Sequence, residues 1–308
     1  MVTAVFSHGD CARHLTPPGH PERAERLAAV ERGLAGLAVA RHEAPLGVRA
    51  DVLRCHPADH WERVAGAVPR AGFAALDGDT HLSPGSLDAA LRAVGGAVAA
   101  VDMVMAGRAA NAFVACRPPG HHAERERAMG FCLFGTLAIA ARHALDHHGL
   151  SRVAIVDFDV HHGNGTQDLL WNEDRVLFVS SHQMPLYPGT GSARERGAHG
   201  QILNLPLPPG SGGAAMRAAY EGAAFPALDA FAPELVLVSA GFDAHADDPL
   251  AELDWQAEDF RWLTARLCDL AHRHAGGRVV STLEGGYDLD ALAACTAAHV
   301  GVLAERGA

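Results

Sequence analysis

Short uninterrupted apolar runs alternate along this chain with longer segments of helical periodicity. The apolar runs are candidate strands: Thr3–Phe6, Ala112–Cys116, Val153–Asp157, Val176–Ser180, Ile202–Leu205, Leu235–Ser239 and Val279–Leu283. The helical segments are Pro21–Leu37, Ser86–Ala106, Gly135–His148, Gly213–Phe231, Trp255–His274 and Leu289–Glu305. Strands that are apolar throughout are buried on both faces, as in parallel sheets whose strands alternate with helices. The pattern therefore predicts a doubly wound α/β architecture, and only residues 38–82 stay unassigned, as short helices and rim loops.

The same pattern contains no sign of a domain boundary. A length of 308 residues would allow two domains of roughly 150 residues each. No internal repeat, low-complexity linker or charged run divides the chain. We therefore predict one domain over residues 1–308.

The charge balance excludes several classes of function. Lys and Arg total 25 against 36 Asp and Glu, a net charge of −11, and all 25 cations are arginine. A chain that is acidic and free of lysine is not a basic nucleic-acid-binding domain, and it lacks the lysine of a P-loop NTPase. The 20 histidines exceed the usual content of a chain of this length, and a GC-rich genome is the simplest explanation for this excess and for the absence of lysine.

The chain also lacks the signals that would direct it to a membrane. Its first ten residues contain no basic and apolar secretory signal, and charged residues interrupt its longest weakly polar stretch, Leu87–Ala106. Six scattered cysteines form no CxxC pair, which disfavours a disulfide framework or a cysteine zinc site. We expect a cytoplasmic protein that contacts neither a membrane nor nucleic acid.

Polar side chains follow four of the predicted strands, in glycine-rich turns at the point where each strand ends. These turns are Arg117–His122, Phe158–Gly165, Ala240–Asp243 and Glu284–Tyr287. Ligands of parallel α/β sheets bind at the carboxyl ends of the strands. The topology therefore predicts that the four turns form one site.

A metal site is the first chemical prediction. Asp159 and His161 are two positions apart, so in extended backbone their side chains point to the same side. Asp243, from another strand end, would complete a set of two aspartates and one histidine. Three protein ligands leave a position open for water, as in catalytic zinc sites. The alternative is that Asp157 and Asp159 only cap the turn.

Two adjacent histidines, His121 and His122, form a second constellation. Hydrolysis at a metal site requires a base to accept a proton from water and an acid for the leaving amine. Asp157 and Asn164 are the polar groups that could orient the two rings. Tyr287 could donate to a developing oxyanion, a role worth roughly 3–4 kcal/mol at comparable sites. The alternatives are a structural role for one histidine and rim packing for Tyr287.

Five motifs together identify a family. They are Arg117–His122, Gly130–Cys132, Val156–Gln167, Ser239–Leu250 and Leu283–Tyr287. In this order they resemble the zinc-dependent histone deacetylase superfamily, above all its class II-type bacterial members, the histone deacetylase-like amidohydrolases. Acetylpolyamine amidohydrolases are close relatives of these. The resemblance runs from about residue 8 to 290, and the element beginning at His20 fits it too.

The resemblance implies an arginase/deacetylase fold, in which helices sandwich an eight-stranded parallel sheet and the active site lies at the carboxyl ends of the strands. It implies zinc ligation by Asp159, His161 and Asp243, with His122 as general base, His121 as electrostatic partner or acid, and Tyr287 polarising the scissile carbonyl. It places Asp157 behind His121 and Asn164 behind His122.

The resemblance also implies a narrow acyl-lysine channel and a structural cation. Phe131 and Tyr187 would line the channel, with Gly130 flanking it and Leu250 at the rim. A monovalent cation, potassium, would be held at a site formed by Asp157, Asp159, His161, Ser180 and Ser181. A dense group of carboxylates gives such a cation a physical reason to bind.

Two positions depart from relatives in the superfamily. Asn164 stands where class I enzymes have an aspartate, and an amide stabilises an imidazolium less, so we expect a lowered pKa for His122. Leu250 stands where polyamine-preferring relatives carry a glutamate, which weakens a polyamine interpretation.

We therefore predict a zinc-dependent amidohydrolase that removes acetyl or other acyl groups from acylated amines, with acetyl-lysine-type substrates favoured. An acetylpolyamine amidohydrolase is the main alternative. A non-catalytic binder of acyl ligands or metal, and a two-manganese ureohydrolase, are the others; the latter needs bridging carboxylates beyond Asp243. The acyl chain, the choice between Zn²⁺ and Fe²⁺, and a homo-oligomeric state stay open.

Overall fold

A parallel sheet of eight strands is the centre of the molecule, in a computed structural model that describes residues 1–307. Its strands are β1 Thr3–Ser7, β2 Val39–Glu43, β5 Asn111–Val114, β6 Val153–Asp157, β7 Val176–Gln183, β8 Ile202–Leu207, β9 Leu235–Ala240 and β10 Val279–Leu283; a separate hairpin pairs β3 Ala74–Ala75 with β4 His81–Leu82. The spatial order is β2-β1-β5-β10-β9-β6-β7-β8, and every neighbouring pair is parallel.

Helices cover both faces of the sheet. They are α1 Glu25–Leu34, α2 Arg49–Val52, α3 Ala58–Ala67, α4 Ser86–Met105, α5 Thr136–His147, α6 Asn164–Leu169, α7 Gly213–Ala219, α8 Phe225–Phe231, α9 Ala257–His274 and α10 Leu289–Gly307. Within residues 1–307, no helix has both the length and the apolar character that a membrane span requires.

The central strands are apolar on both sides because each side packs against a helical layer. In β6, Val153 and Ile155 join the core under α4 and α5, whereas Ala154 and Val156 join the core under α1, α9 and α10. All four side chains are fully buried. Burial of this kind contributes roughly 1.5–3 kcal/mol for each large aliphatic side chain. The predicted parallel architecture and its eight strands are confirmed.

The unassigned segment supplies the eighth strand. β2 lies at the edge of the sheet, and its residues are half-buried or exposed rather than apolar throughout. Its sequence therefore lacks the uninterrupted apolar signature that identifies the central strands. The same segment holds α2, α3 and the β3–β4 hairpin.

Two predicted helices differ from the observed ones, the first in where it begins and the second in an interruption within it. The first helix begins at Glu25 rather than Pro21, because the preceding turn directs the Glu22 carboxylate into the core to meet Arg117 and Arg26. The predicted helix Gly213–Phe231 contains a π-helical turn, Tyr220–Ala224, between α7 and α8.

One of the many histidines has a structural role in the core. His299, on α10, is fully buried, and its ring lies 5.8 Å from the rings of Phe113, Phe158 and Phe242. Its Nδ1 bonds the Thr264 hydroxyl at 2.7 Å and its Nε2 bonds the Ser281 hydroxyl at 2.9 Å. Burial lowers the pKa of His299 to about 3. The neutral ring thus joins α9, α10 and β10.

We predict that this histidine makes the fold sensitive to acid. Between pH 6.5 and 3 the unfolded chain binds a proton at His299 that the folded protein does not bind, so stability falls as pH falls. The slope from one such group is at most about 1.4 kcal/mol per pH unit. His299→Gln, which keeps a donor and an acceptor but does not ionise, should flatten the pH dependence of the free energy of unfolding by up to that amount.

Urea unfolding at several pH values between 7 and 4 measures this slope. His272→Gln is the matched control, because His272 lies exposed on α9. Equal slopes for the His299→Gln variant and the wild type would show that this ring does not titrate on unfolding.

Candidate functional site

The four turns predicted to form one site follow four strands that are neighbours in the sheet. Their order, β5-β10-β9-β6, occupies the middle of the sheet. Because the strands are parallel, their carboxyl ends meet at one edge, and each strand contributes its turn there. The sheet topology thus brings side chains separated by more than a hundred residues into one buried cluster.

Asp159, His161 and Asp243 form a compact group of ligand atoms. The donor atoms of the three side chains all lie within 4.8 Å of one another. His161 Nδ1 is 3.1 Å from Asp159 Oδ1 and 3.2 Å from Asp243 Oδ2. None of the three residues is more than 8% exposed. Two buried carboxylates and one imidazole, converging on one point, are a donor set that suits a divalent cation such as zinc.

Backbone groups hold the two carboxylates in place. Val160 N donates to Asp243 Oδ1 at 2.9 Å, and Gly285 N donates to Asp159 Oδ2 at 2.8 Å. A Cβ at Gly285 would lie 2.0 Å from Asp243 Oδ2, so only glycine lets the end of β10 approach this closely. Within the described residues the cluster has three ligand groups, without the added bridging carboxylates that a two-manganese centre requires.

The His121–His122 turn lies beside this cluster and is fixed by Glu284. The Glu284 carboxylate accepts from Gly120 N at 2.7 Å and from His121 N at 3.1 Å. The two imidazole rings are 4.0 Å apart between centroids. Burial raises the pKa of Glu284 to about 7. A residue at the end of β10 therefore holds the histidine turn that follows β5.

Each histidine of the pair has a different partner behind its ring. His121 Nδ1 is 3.0 Å from Asp157 Oδ2, and its Nε2 is 3.7 Å from Asp159 Oδ1. His122 Nδ1 is 2.7 Å from the amide oxygen of Asn164. The Asn164 amide nitrogen in turn donates to Glu124 Oε1 at 2.7 Å.

These surroundings move the two pKa values in opposite directions. Burial alone would lower the pKa of His121, but the charges of Asp159 and Asp157 outweigh it and raise that pKa well above its usual value. Burial, and next the charge of His121, lower the pKa of His122 well below its usual value. The direction for His122 is the one expected from the sequence, although burial is the larger cause. The two rings of the pair therefore differ in their tendency to hold a proton.

Tyr287 is held in a turn with firm backbone contacts. Its N–H donates to Asp248 Oδ2 at 2.7 Å, and the preceding Gly286 carbonyl accepts from Arg26 Nε at 2.7 Å. The Arg26 guanidinium also lies 5.0 Å from the centre of the phenol ring. Burial raises the pKa of Tyr287, so the phenol keeps its proton and is able to donate a hydrogen bond.

A buried ion network supports this turn from the N-terminal segment. Glu22 accepts from Arg117 at 2.5 and 2.6 Å and from Arg26 at 3.2 Å. The three side chains are fully buried. Arg26 also donates to the Glu284 carbonyl at 2.5 Å. The network joins residues near the start of the chain to the ends of β5 and β10.

A cavity of about 240 Å³ leads from the surface to the cluster. Its walls are Asp79, His122, Gly130, Phe131, His161, Leu186, Tyr187, Leu250 and Tyr287. The four residues predicted to form a channel, Gly130, Phe131, Tyr187 and Leu250, are all among them. Asp79 and Leu186 are wall residues that the sequence reasoning missed.

The cavity walls are shaped by aromatic rings and by one obligatory glycine. Gly130 has a φ of +56°, and a Cβ there would lie 2.4 Å from His122 Cδ2. Tyr187 meets His122 edge-on at 5.2 Å, and Phe131 meets Tyr287 edge-on at 5.9 Å, both between ring centroids. Tyr187 is 38% exposed, whereas Tyr287 is 7% exposed. The cavity thus has an open outer part and a buried floor.

Two of the residues predicted to hold potassium are partners on neighbouring strands. Asp157 on β6 pairs with Ser180 on β7. The Ser180 hydroxyl bonds His182 Nδ1 at 2.9 Å, and the Ser181 hydroxyl bonds the Tyr220 hydroxyl at 2.9 Å. A cation at this point would therefore rely chiefly on backbone carbonyls.

Several functional positions gave little signal in the sequence. Asp79 lies in the unassigned segment, where no periodicity marks it. Glu22 and Arg26 meet the site only through contacts across more than 90 residues. Glu284 and Asp248 are different, because both lie in motifs at strand ends, and their acidic character at such positions could have drawn attention.

Comparison with known proteins places the chain among related sequences and structures. Residues 20–303 match the model of the histone deacetylase domain. A histone deacetylase-like amidohydrolase of Pseudomonas aeruginosa is 44% identical over 248 residues, covering 79% of this chain and 65% of that protein. A probable deacetylase of Archaeoglobus fulgidus is 37% identical over 299 residues, covering 94% of this chain and 82% of that protein.

A solved structure extends the similarity to the fold. The crystal structure of the HDA15 HD domain superposes with a TM-score of 0.91 at 33% identity, covering 98% of this chain and 90% of that chain. The resemblance identified from the five motifs, and the arginase/deacetylase fold that it implies, are thereby confirmed. The chain belongs to the histone deacetylase family.

Proposed function

We propose that this chain is a zinc-dependent amidohydrolase that removes acetyl or related acyl groups from acylated amines, with acetyl-lysine-type substrates favoured. One observation carries the proposal. A buried histidine pair, with Asp157 behind one ring and Asn164 behind the other, lies against a three-residue metal-ligand cluster at the floor of a cavity of about 240 Å³.

Asp159, His161 and Asp243 are the proposed zinc ligands. Zinc bound there would supply a Lewis acid, which polarises a carbonyl and lowers the pKa of water from about 16 to about 7. The three protein ligands leave room for substrate and water in the coordination sphere. The choice of zinc over iron rests on the family resemblance.

The histidine pair divides the proton transfers between its two members. Neutral His122 takes a proton from water as the water oxygen attacks the amide carbon. Cationic His121, stabilised by Asp157, gives a proton to the amine nitrogen as the C–N bond breaks. The products are a neutral amine and a carboxylic acid, and the acid ionises to a carboxylate by releasing its proton. His122 has gained a proton and His121 has lost one, so His122 then releases a proton to solvent and His121 takes one up. General acid–base catalysis of this kind contributes about 10²–10⁴ in rate.

Tyr287 donates its phenolic hydrogen bond to the oxyanion that develops on the amide oxygen. Asp248 accepts from its backbone N–H, and Arg26 donates to the carbonyl of the preceding Gly286. A donor fixed before the reaction stabilises the transition state without reorganisation.

The cavity supports a straight, apolar chain next to the scissile amide. Phe131, Tyr187 and Leu250 offer hydrophobic walls for the methylenes of a lysine side chain. Asp79, partly exposed at the wall, offers a carboxylate to a cationic substrate or to a peptide N–H.

We also propose potassium at the site of Asp157, Asp159, His161, Ser180 and Ser181. A cytoplasmic location fits the six cysteines, which are unpaired and buried.

A deacylation panel tests the proposed function. Zinc-loaded protein should hydrolyse acetyl-lysine peptides with a higher kcat/KM than acetylputrescine or acetylspermidine, and trifluoroacetyl-lysine measures the tolerance for the acyl group. A higher value for the acetylpolyamines would select that alternative. Inert protein that retains zinc would support a binding function instead.

Tyr287→Phe should lower kcat by about 10²–10³, because it removes a transition-state hydrogen bond worth about 2.7–4 kcal/mol, and KM should change little. Steady-state kinetics on an acetyl-lysine peptide measures both constants. Tyr220→Phe is the matched control, since it removes a buried phenol oxygen that bonds Ser181, outside the cavity. Full activity of the Tyr287→Phe variant would exclude the oxyanion role.

Asn164→Asp should move the acid limb of the kcat/KM profile to higher pH by about one unit. A carboxylate at this position stabilises the imidazolium, so the pKa of His122 rises and the base stays protonated to a higher pH. Profiles of kcat/KM against pH from 5 to 9 measure the shift.

The control for this change must account for Glu124, which accepts from the Asn164 amide. In the single variant two carboxylates would face each other, whereas Asn164→Asp with Glu124→Gln avoids that repulsion. Both variants should shift the profile in the same direction. An unchanged acid limb in both would mean that His122 is not the base.

A further inference from the structure

A second group of metal-ligating side chains lies outside the catalytic site. His143, His147 and His148 end helix α5, and Asp102 lies in the last turn of the neighbouring helix α4. One donor atom from each of the four residues lies within 4.8 Å of the others. These residues, here called the helix-end cluster, account for three of the 20 histidines and have no part in the proposed reaction.

The geometry of the helix-end cluster is convergent. His143 Nε2 and His148 Nε2 contact the same Asp102 oxygen, Oδ1, at 2.6 and 2.7 Å. The rings of His143 and His147 stack, with 4.9 Å between centroids and an interplanar angle of 15°. His147 and His148 meet edge-on, also at 4.9 Å. Three imidazoles thus surround one carboxylate.

Sequence spacing explains this convergence. His143 and His147 are four residues apart, so they lie on the same helix face one turn from each other. His148 is the C-cap residue, where the backbone leaves the helix axis and can turn its ring back. α4 packs against α5 and brings Asp102 to the same end of the layer.

Burial provides a second, independent observation. His143 is 5% exposed, and its Nδ1 is buried without a hydrogen-bond partner among the described residues. The other members are accessible, since His147 is exposed and Asp102 and His148 are partly exposed. The group is therefore anchored by one buried ring and open to solvent on its other side, which allows an ion to enter.

The helix-end cluster is remote from the catalytic centre. α5 begins at Thr136, whose backbone lies against Gly120 of the catalytic turn, and it runs 12 residues to His147. At 1.5 Å per residue this is about 18 Å. The helix-end cluster is followed in the chain by the start of β6, whereas the proposed catalytic side chains follow the carboxyl ends of the strands.

We propose that Asp102, His143, His147 and His148 bind a divalent first-row transition metal, with zinc as the reference ion. Imidazole is the ligand type that suits zinc, copper and nickel, and one carboxylate completes a four-coordinate set. Zinc–ligand bonds of about 2.1 Å place tetrahedral donors about 3.4 Å apart. The imidazoles of His143 and His148, now 2.6 and 2.7 Å from Asp102 Oδ1, would move outward slightly, and donors that are farther apart, all within 4.8 Å, would close inward. The ion joins the ends of α4 and α5.

Zinc stoichiometry tests this site. Protein stripped of metal is dialysed against chelator-buffered zinc, and the bound metal per chain is measured by mass spectrometry. Wild type should hold two equivalents, and the double variant His147→Gln/His148→Gln should hold one. This variant keeps buried His143 and Asp102. His199→Gln/His272→Gln, which changes two exposed histidines elsewhere, is the matched control and should hold two.

A second set of variants separates this site from the catalytic one. Asp243→Asn should hold one equivalent, at the helix-end cluster, and X-ray absorption of that zinc should show about three imidazole ligands. Adding His147→Gln/His148→Gln should leave no bound zinc. The variant His147→Gln/His148→Gln, which retains Asp243 and the zinc at the catalytic site, should keep the deacylase rate of the wild type.

Thermal unfolding gives an independent readout. An ion that binds only the folded chain raises the unfolding midpoint. In the Asp243→Asn background, zinc should raise the midpoint, and it should not do so once His147 and His148 are also replaced. Two results would overturn the proposal. One is that the wild type binds a single zinc per chain and Asp243→Asn abolishes its binding; the other is that His147→Gln/His148→Gln still binds two.

If the proposed deacylase function is wrong, the zinc bound at the helix-end cluster should be unchanged, so the two proposals can fail separately.

Discussion

Four carboxylates buried in one place are the constraint on which the rest of this structure depends. Asp157, Asp159, Asp243 and Glu284 are at most 1% exposed and lie at the ends of neighbouring strands. Unpaired charges in such surroundings are costly. Backbone N–H groups, the raised pKa of Asp157 and Glu284, and the imidazole of His121 each offset part of that cost, and the proposed zinc ion would offset more. The site's features are thus responses to one concentration of negative charge.

The sheet topology explains why these carboxylates and the proposed reactive side chains lie at one point. β5, β10, β9 and β6 are adjacent, so each supplies one turn to the same point. Glycine at 285 and at 130 lets backbone approach the carboxylates and His122 where a side chain would collide. The opposed pKa directions of the histidine pair follow from placement, since the charges of Asp159 and Asp157 raise the pKa of His121, whereas burial and the charge of His121 lower that of His122.

The sequence predicts an element best where the burial of that element leaves a local pattern of apolar residues. The central strands are recognisable because burial on both faces requires uninterrupted apolar residues, and the residues proposed for the reaction follow directly from them. β2 could not be predicted from an apolar run, because its residues at the edge of the sheet are half-buried or exposed. The start of α1, the wall residue Asp79 and the Glu22 network depend on contacts between distant segments. Periodicity carries no information about such contacts, so the cavity wall emerges only in three dimensions.

The hydrogen bond from Arg26 to the Gly286 carbonyl spans 260 positions of the chain. Both ends of the sequence must therefore be in place before Tyr287 is held in its turn. Detachment of residues 8–26, which follow β1 and include the start of α1, would leave all eight strands paired and still release the Gly286 carbonyl from Arg26. Turnover by this molecule consequently reports on the docking of residues 8–26, a local equilibrium that probes of global unfolding do not register.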